Sequence, residues 1–81
     1  MARDLRASAY QLVIDELRGA RESADMTQQA LADVLRRPQS YVAKIETGER
    51  GIDVIEFVEW VLATEHKPEK VIAKISKTIS E

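Results

Sequence analysis

The sequence predicts an all-α fold, a single domain of five helices. Apolar residues recur at intervals of three and four in five segments, and no stretch alternates with the period of two that is typical of strands. Glycine and proline are few, with three and two residues. A length of 81 residues is that of one small domain, so residues 1–81 are predicted to fold as one unit.

The first helix is predicted to follow a loose arm of residues 1–7. Ser8 and Gln11 have the Ser-x-x-Gln spacing of a capping box, which indicates a helix start at Ser8. Asp25 is expected to end this helix, because aspartate tolerates the left-handed conformation better than most residues. The predicted buried stripe consists of Tyr10, Val13, Ile14, Leu17, Ala20 and Ala24.

The second and third helices are predicted to be short and close together. Thr27 is expected to cap a helix from Gln28 to about Leu35. Pro38 disfavours helical conformation at the residue before it and suits the first turn of the next helix. That next helix runs from about Gln39 to Thr47, with Val42 and Ile45 facing inward and Gly48 as its C-terminal stop.

The fourth and fifth helices complete the domain. Asp53 is predicted to cap the fourth helix, with Glu56 at the capping-box position. Pro68 begins a fifth helix over residues 68–80. Together these helices carry more apolar residues than a small monomer hides easily, which favours a homodimer. The predicted dimer interface consists of Trp60, Val71 and Ile75, and for Trp60 both a core position and a subunit contact remain open.

The composition excludes several classes of function. There is no cysteine and only one histidine, so a thiol nucleophile, a disulfide framework and a Cys/His metal site are not expected. The longest apolar run, residues 60–63, is far too short for a membrane span. No phosphate-cradling glycine loop or Ser-His-Asp set is present. We therefore expect a soluble, cytoplasmic protein that has no cofactor, does not interact with membranes and is not an enzyme.

Charge is distributed unevenly along the chain. The net charge is −2, which on its own weakly disfavours a nucleic-acid partner. Residues 34–52 nevertheless carry a net +2, whereas residues 53–65 carry −4. A short basic stretch between acidic ones can attract phosphate on one face only, although ordinary solvated surface charge gives the same pattern.

Residues 27–48 have the spacing of a helix-turn-helix, with two short helices and a break of three to four residues. Once the second of these helices buries Val42 and Ile45, its outer faces present Gln39, Ser40, Tyr41 and Lys44. Glutamine can bind adenine through two hydrogen bonds, serine can bond to a base edge or a phosphate, and lysine can reach guanine or a phosphate oxygen. The pattern therefore indicates a surface that reads double-stranded DNA.

The segments TQQALADVL (27–35) and PQSYVAKIETGER (38–50) resemble the XRE family of helix-turn-helix regulators, which includes lambda-type repressors and Cro proteins. The resemblance covers roughly residues 17–63. It implies a five-helix lambda-repressor-like domain whose third helix enters the major groove. It further implies that Gln28 contacts a phosphate and braces Gln39, that Arg50 lies near the phosphates, and that Arg21 forms a structural ion pair with Glu46.

Three positions depart from the family pattern. The position of Arg36, in the turn, is usually glycine, so this arginine must take a positive φ or reshape the turn. The position of Arg37 is often apolar, and its side chain is expected to point to phosphate instead. Asp25 also replaces a common glycine.

The leading interpretation is a sequence-specific, repressor-like regulator that reads a near-palindromic operator as a dimer. A phage-type repressor, the antitoxin of a toxin–antitoxin pair and a controller of a restriction–modification operon share such helices, so a toxin partner stays open. The alternative from another class is a protein-interaction module that uses the same fold. Salt dependence separates the two, because DNA binding weakens steeply as salt rises.

Overall fold

The computed structural model describes residues 5–80, and these form five helices. They are α1 (Leu5–Ser23), α2 (Gln28–Leu35), α3 (Gln39–Thr47), α4 (Val54–Ala63) and α5 (Pro68–Ser80). No strand occurs in this part of the chain. The all-α, five-helix prediction is therefore confirmed. Within residues 5–80 no helix has both the length and the apolar character that a membrane span requires.

The start of α1 differs from the prediction. The helix already includes Leu5, so Ser8 lies inside it and the Ser8 capping box is wrong. Residues 5–7 are helical rather than part of an arm, and residues 1–4 of the predicted arm lie outside the described residues. Leucine, arginine and alanine are good helix formers, so the chain before Ser8 continues the helix instead of leaving it.

Three other helix boundaries are set by local capping residues, as predicted. The Thr27 hydroxyl accepts a hydrogen bond from the backbone N–H of Ala30 at 3.0 Å. Asp53 and Glu56 form a reciprocal capping box at the start of α4. Gly48 ends α3 with φ 82°, a left-handed conformation that glycine takes without strain.

Three helices end in a residue that takes the same left-handed conformation without being glycine. Asp25, Arg36 and Glu65 follow α1, α2 and α4 with φ of 57°, 58° and 60°. At Arg36 a positive φ, rather than a reshaped turn, accommodates the arginine. Its backbone N–H donates to the carbonyls of Ala32 and Asp33 in α2, and the N–H of Arg37 donates to the carbonyl of Ala32 at 2.9 Å. The turn therefore keeps its shape at some conformational cost to Arg36.

The core lies where all five helices meet, and Trp60 is at its centre. Trp60 is 0% exposed, and its indole N–H donates to the carbonyl of Leu17 at 3.0 Å. Val71 is also buried in this cluster. Neither residue offers a surface to a second copy, so the prediction that they form a dimer interface is wrong, and Trp60 is a core residue. Ile75 is partly buried against the same core.

Packing against this core determines how the helix-turn-helix is presented. Val42 and Ile45 of α3 are fully buried, as their spacing predicts, and so are Leu31 and Ala32 of α2. α2 packs on α3, and α1 packs on α3 as well as on α5. The inner side of α3 is thus held by two other helices, and its remaining faces are directed away from the core.

Candidate nucleic-acid interface

One side of α3 is polar and open to solvent. Gln39, Ser40, Lys44 and Thr47 are exposed and fall within an arc of about 140° on a helix of 3.6 residues per turn. Pro38 provides no side-chain cap at the start of α3. No N-cap side chain therefore covers the first backbone N–H groups beside Gln39. Such a helix start favours anionic groups.

The side chain of Gln39 is held in one orientation by its neighbour in α2. Its amide nitrogen donates to the side-chain oxygen of Gln28 at 2.6 Å. The amide nitrogen of Gln28 in turn donates to Glu46 at 3.0 Å. This order leaves the amide oxygen of Gln39 and one of its N–H groups facing outward. That pair of groups matches the donor and acceptor that adenine shows in the major groove.

Glu46 is the anchor of this chain of hydrogen bonds. Its side chain is only 1% exposed, and Arg21 donates to its two carboxylate oxygens at 2.7 and 3.0 Å. The ion pair that the resemblance implies is therefore present. Burial raises the pKa of Glu46, but the hydrogen bonds from Arg21 and Gln28 outweigh it and hold the pKa below its ordinary value.

Arg18 also belongs to this network, although no motif in the sequence indicates it. Its guanidinium donates to the backbone carbonyl of Glu46 at 2.8 Å and lies 3.5 Å from the carboxylate. Arg18 is three residues before Arg21, so the two side chains share one face of α1. That spacing is the signal that could have found it.

Tyr41 is not on the outer face, and its predicted exposure is wrong. The residue is 8% exposed and belongs to the core cluster. The guanidinium carbons of Arg37 and Arg50 lie 4.7 and 4.9 Å from the centre of its ring, within cation–π distance. Burial raises the pKa of the Tyr41 phenol, as does the charge of Glu56, so the phenol stays a neutral O–H donor.

Glu56 connects the two arginines. It accepts hydrogen bonds from Arg50 at 3.0 and 2.9 Å and lies 3.8 Å from Arg37. The hydrogen bond from Arg50 and the backbone N–H of Asp53 lower the pKa of Glu56 to about 2. Hydrogen bonding to Glu56 likewise raises the pKa of Arg50. The sequence pattern predicts only the capping role of Glu56, so its contacts with the arginines are an addition from the structure.

The predicted site residues thus divide into two groups. Gln39, Ser40 and Lys44 lie on the exposed side of α3, with Gln28 behind Gln39. The other group consists of Arg37, Tyr41 and Arg50. Both arginines of this group lie against the Tyr41 ring and form ion pairs with Glu56. No three His, Asp or Glu side chains come close enough to hold a metal ion anywhere in residues 5–80.

Comparison with known proteins agrees with this geometry. A family model described as a helix-turn-helix domain matches residues 15–63, more than half of the chain. A solved structure of an XRE-family like protein from Pseudomonas syringae pv. tomato str. DC3000 is 39% identical, with a TM-score of 0.85 over 89% of this chain and 88% of that one. No curated protein matches the chain. The chain belongs to the XRE family of helix-turn-helix DNA-binding regulators.

Proposed function

We propose that this protein is a repressor-like regulator that reads a specific duplex by placing α3 in the major groove. The observation that carries the proposal is the fixed orientation of Gln39 on an exposed polar face. Gln28, bound to the anchored Glu46, leaves Gln39 one outward acceptor and one outward donor. Ser40 and Lys44 stand beside it and are free for a base edge or a flanking phosphate.

The experiment is a duplex selection followed by a comparison of variants. The wild type should enrich a preferred sequence from a random pool. In Gln39→Ala, discrimination against a changed base pair should fall by roughly 1–3 kcal/mol at one position of each half-site. Gln11→Ala is the matched control, because Gln11 is an exposed glutamine of α1 that pairs with Asp15. Full selectivity in Gln39→Ala would show that α3 is not the reading helix.

A homodimer is the second part of the proposal. Val54, Ile55 and Ile72 are 76%, 69% and 50% exposed, and Ile79 is 57% exposed. Between α1, α4 and α5 lies a groove of about 280 Å³ lined by Val54, Val58, Ile72 and Ile75 among others. Covering these side chains with a second copy removes apolar surface from water. A two-fold axis there would suit two half-sites about 34 Å apart and a near-palindromic operator.

The oligomeric state provides the test of this second part. Sedimentation at micromolar concentration should give twice the mass of one chain, which is 9.1 kDa. Ile72→Lys should shift the protein toward the monomer and weaken binding to a two-half-site duplex. Val34→Lys is the matched control, because Val34 is as exposed but lies on α2. A wild type that is a monomer on its own and binds its duplex as a single chain would contradict the homodimer.

A protein-interaction role, such as that of an antitoxin, is the second candidate function. Val34 and Leu62 are 58% and 57% exposed, and they border a separate hollow between α2 and α4 together with Glu59. This surface lies apart from the exposed side of α3, so a toxin there is compatible with DNA binding. Binding of duplex that does not weaken between 50 and about 200 mM salt would favour this role over DNA reading.

A further inference from the structure

A connected cluster beside α3, here called the arginine clamp, consists of Arg37, Tyr41, Arg50 and Glu56. Arg37 comes from the turn before α3 and Arg50 from the loop after it, so the cluster joins both ends of this helix. Both guanidinium groups lie against the ring of Tyr41 within 5 Å of its centre. Glu56, from the first turn of α4, is the carboxylate that both of them approach.

The hydrogen bonds of Arg50 leave one side of its guanidinium open. Its terminal nitrogens Nη1 and Nη2 donate to the two oxygens of Glu56, and Nη1 also donates to the carbonyl of Gly51 at 2.8 Å. Three of its five N–H groups are thus used. The two that remain, on Nε and Nη2, form the lateral fork, and no acceptor within residues 5–80 occupies it. This fork has the geometry that binds a phosphate through two parallel hydrogen bonds.

Arg37 has still more unused capacity. Its closest approach to Glu56 is 3.8 Å, which is beyond hydrogen-bond distance. No side-chain acceptor in the described part of the chain receives a hydrogen bond from it. The side chains of Arg37 and Arg50 are 41% and 39% exposed, so both are reachable from solvent.

The charges point to the kind of ligand. Two arginines against one carboxylate leave the clamp with a charge of +1, whereas fixing the loop to α4 requires only Arg50. A phosphodiester carries a charge of −1 and offers two free oxygens. Phosphodiesters of the DNA backbone flank the groove that α3 is proposed to enter, and backbone contacts set the register of such proteins on the duplex.

We propose that the arginine clamp binds one phosphodiester of the DNA backbone, shared by Arg37 and Arg50, and that Glu56 is the positioning residue that holds both guanidinium groups toward it. The inference rests on the proposed function of reading duplex DNA. It assigns to α4 a part in DNA binding, although Glu56 is negatively charged and does not touch the duplex.

Because Glu56 is negatively charged, the direction in which Glu56→Gln changes the affinity for DNA distinguishes its possible roles. Glu56→Gln removes a negative charge next to DNA, so a residue that only repels the backbone would give tighter binding when replaced. If Glu56 only stabilises α4, its replacement should change the urea midpoint and leave the affinity of the folded protein unchanged. If Glu56 is a positioning residue, its replacement should give weaker binding and a weaker salt dependence, with a loss of affinity on the order of tenfold at one salt concentration.

The number of phosphates can be counted from salt dependence. On B-DNA, the slope of log affinity against log salt changes by about 0.9 for each phosphate that the protein no longer neutralises. With a shared phosphate, Arg37→Gln combined with Arg50→Gln should flatten the slope by about 0.9 in total. A change of about 1.8 would mean two separate phosphates, and no change would mean that the clamp does not bind the backbone. Lys70→Gln combined with Lys77→Gln, two exposed lysines of α5, is the charge-matched control and should keep the wild-type slope.

The full chain is used throughout, with the duplex selected by the wild type, and each variant is measured below its urea and thermal transitions. The sequence preference of the clamp variants should equal that of the wild type, because backbone contacts carry no base information. If the wild type selects no duplex, the proposed function fails. If the wild type selects a duplex and Gln39→Ala alters the preference, but Glu56→Gln binds as tightly as the wild type or more tightly, only the clamp proposal is overturned.

Discussion

Replacing Glu46 with alanine should be among the most destabilising single changes in this domain. The carboxylate is 1% exposed and receives hydrogen bonds from Arg21 at 2.7 and 3.0 Å and from Gln28 at 3.0 Å. In Glu46→Ala, Arg21 remains with its side chain only 12% exposed and loses both of its hydrogen bonds to a carboxylate. Removing one partner of a buried ion pair costs about 3–5 kcal/mol, because the other charge stays poorly solvated.

This cost is large compared with the stability of so small a domain. At about 0.05–0.15 kcal/mol per residue, a chain of 81 residues has a free energy of unfolding of about 4–12 kcal/mol. A loss of about 3 kcal/mol corresponds to a fall in Tm of about 12–24 °C for a domain of this size. We therefore expect Glu46→Ala to lose at least about a quarter of the free energy of unfolding of the domain.

The pair Glu16–Lys74 provides the matched control. These side chains are 3.3 Å apart, but they are 23% and 64% exposed and join α1 to α5 at the surface. Because water screens such a pair, Glu16→Ala should cost no more than about 1 kcal/mol. The two variants remove the same kind of side chain, so the difference between them isolates the effect of burial.

Urea unfolding followed by circular dichroism measures both costs. The midpoint should fall strongly in Glu46→Ala and little in Glu16→Ala, with similar slopes. The double variant Arg21→Met, Glu46→Leu should recover much of the loss, because it removes both charges and fills the space with apolar groups. If Glu46→Ala cost less than about 1 kcal/mol, like its exposed counterpart, the reasoning from burial would be refuted.

Three further predictions concern the core, the turn and the response to acid. Trp60→Ala should cost about 3–5 kcal/mol in urea unfolding followed by circular dichroism, because Trp60 is fully buried; a cost under about 1 kcal/mol would contradict its central position. Arg36→Gly should raise Tm slightly, since relief of the left-handed strain slightly exceeds the entropy that glycine adds to the unfolded chain; a lower Tm would mean that the arginine side chain contributes more than the strain. Glu56 has a pKa of about 2 in the folded state, below its unfolded value, so its contribution to stability is complete above about pH 5 and is lost as pH falls toward 2. Urea midpoints between about pH 7 and pH 3 should therefore fall less steeply in Glu56→Gln than in the wild type, and parallel curves would contradict the assignment.

Features that depend on local chemistry could be predicted from the sequence. Thr27, Asp53 and Gly48 define helix boundaries through hydrogen bonds and backbone conformations that involve only a few neighbouring residues. The Ser8 capping box failed for the same local reason. A serine caps a helix only if the residues before it leave the helical conformation, and residues 5–7 do not.

Features that depend on tertiary packing could not be predicted. The helical wheel places Tyr41 outside the Val42–Ile45 stripe, and its burial depends on tertiary neighbours, Arg37 and Arg50 among them, that the spacing does not show. The apolar residues of α4 occur on all sides of the helix, so periodicity does not show which of them are buried. In the structure Trp60 is in the core, whereas Val54 is 76% exposed. The capping role of Glu56 could be predicted because the spacing of a capping box is visible in the sequence, whereas its approach to Arg37 is not.

The hydrogen-bonded chain from Arg21 through Glu46 and Gln28 to Gln39 has a consequence for comparing regulators of this kind. Two relatives with identical outward residues in α3 need not prefer the same operator, because the rotamer of the leading glutamine is set two helices away. Natural variation that shifts operator choice is therefore expected in α1 as well as along the groove-facing side. A recognition code that is written from α3 alone would miss it.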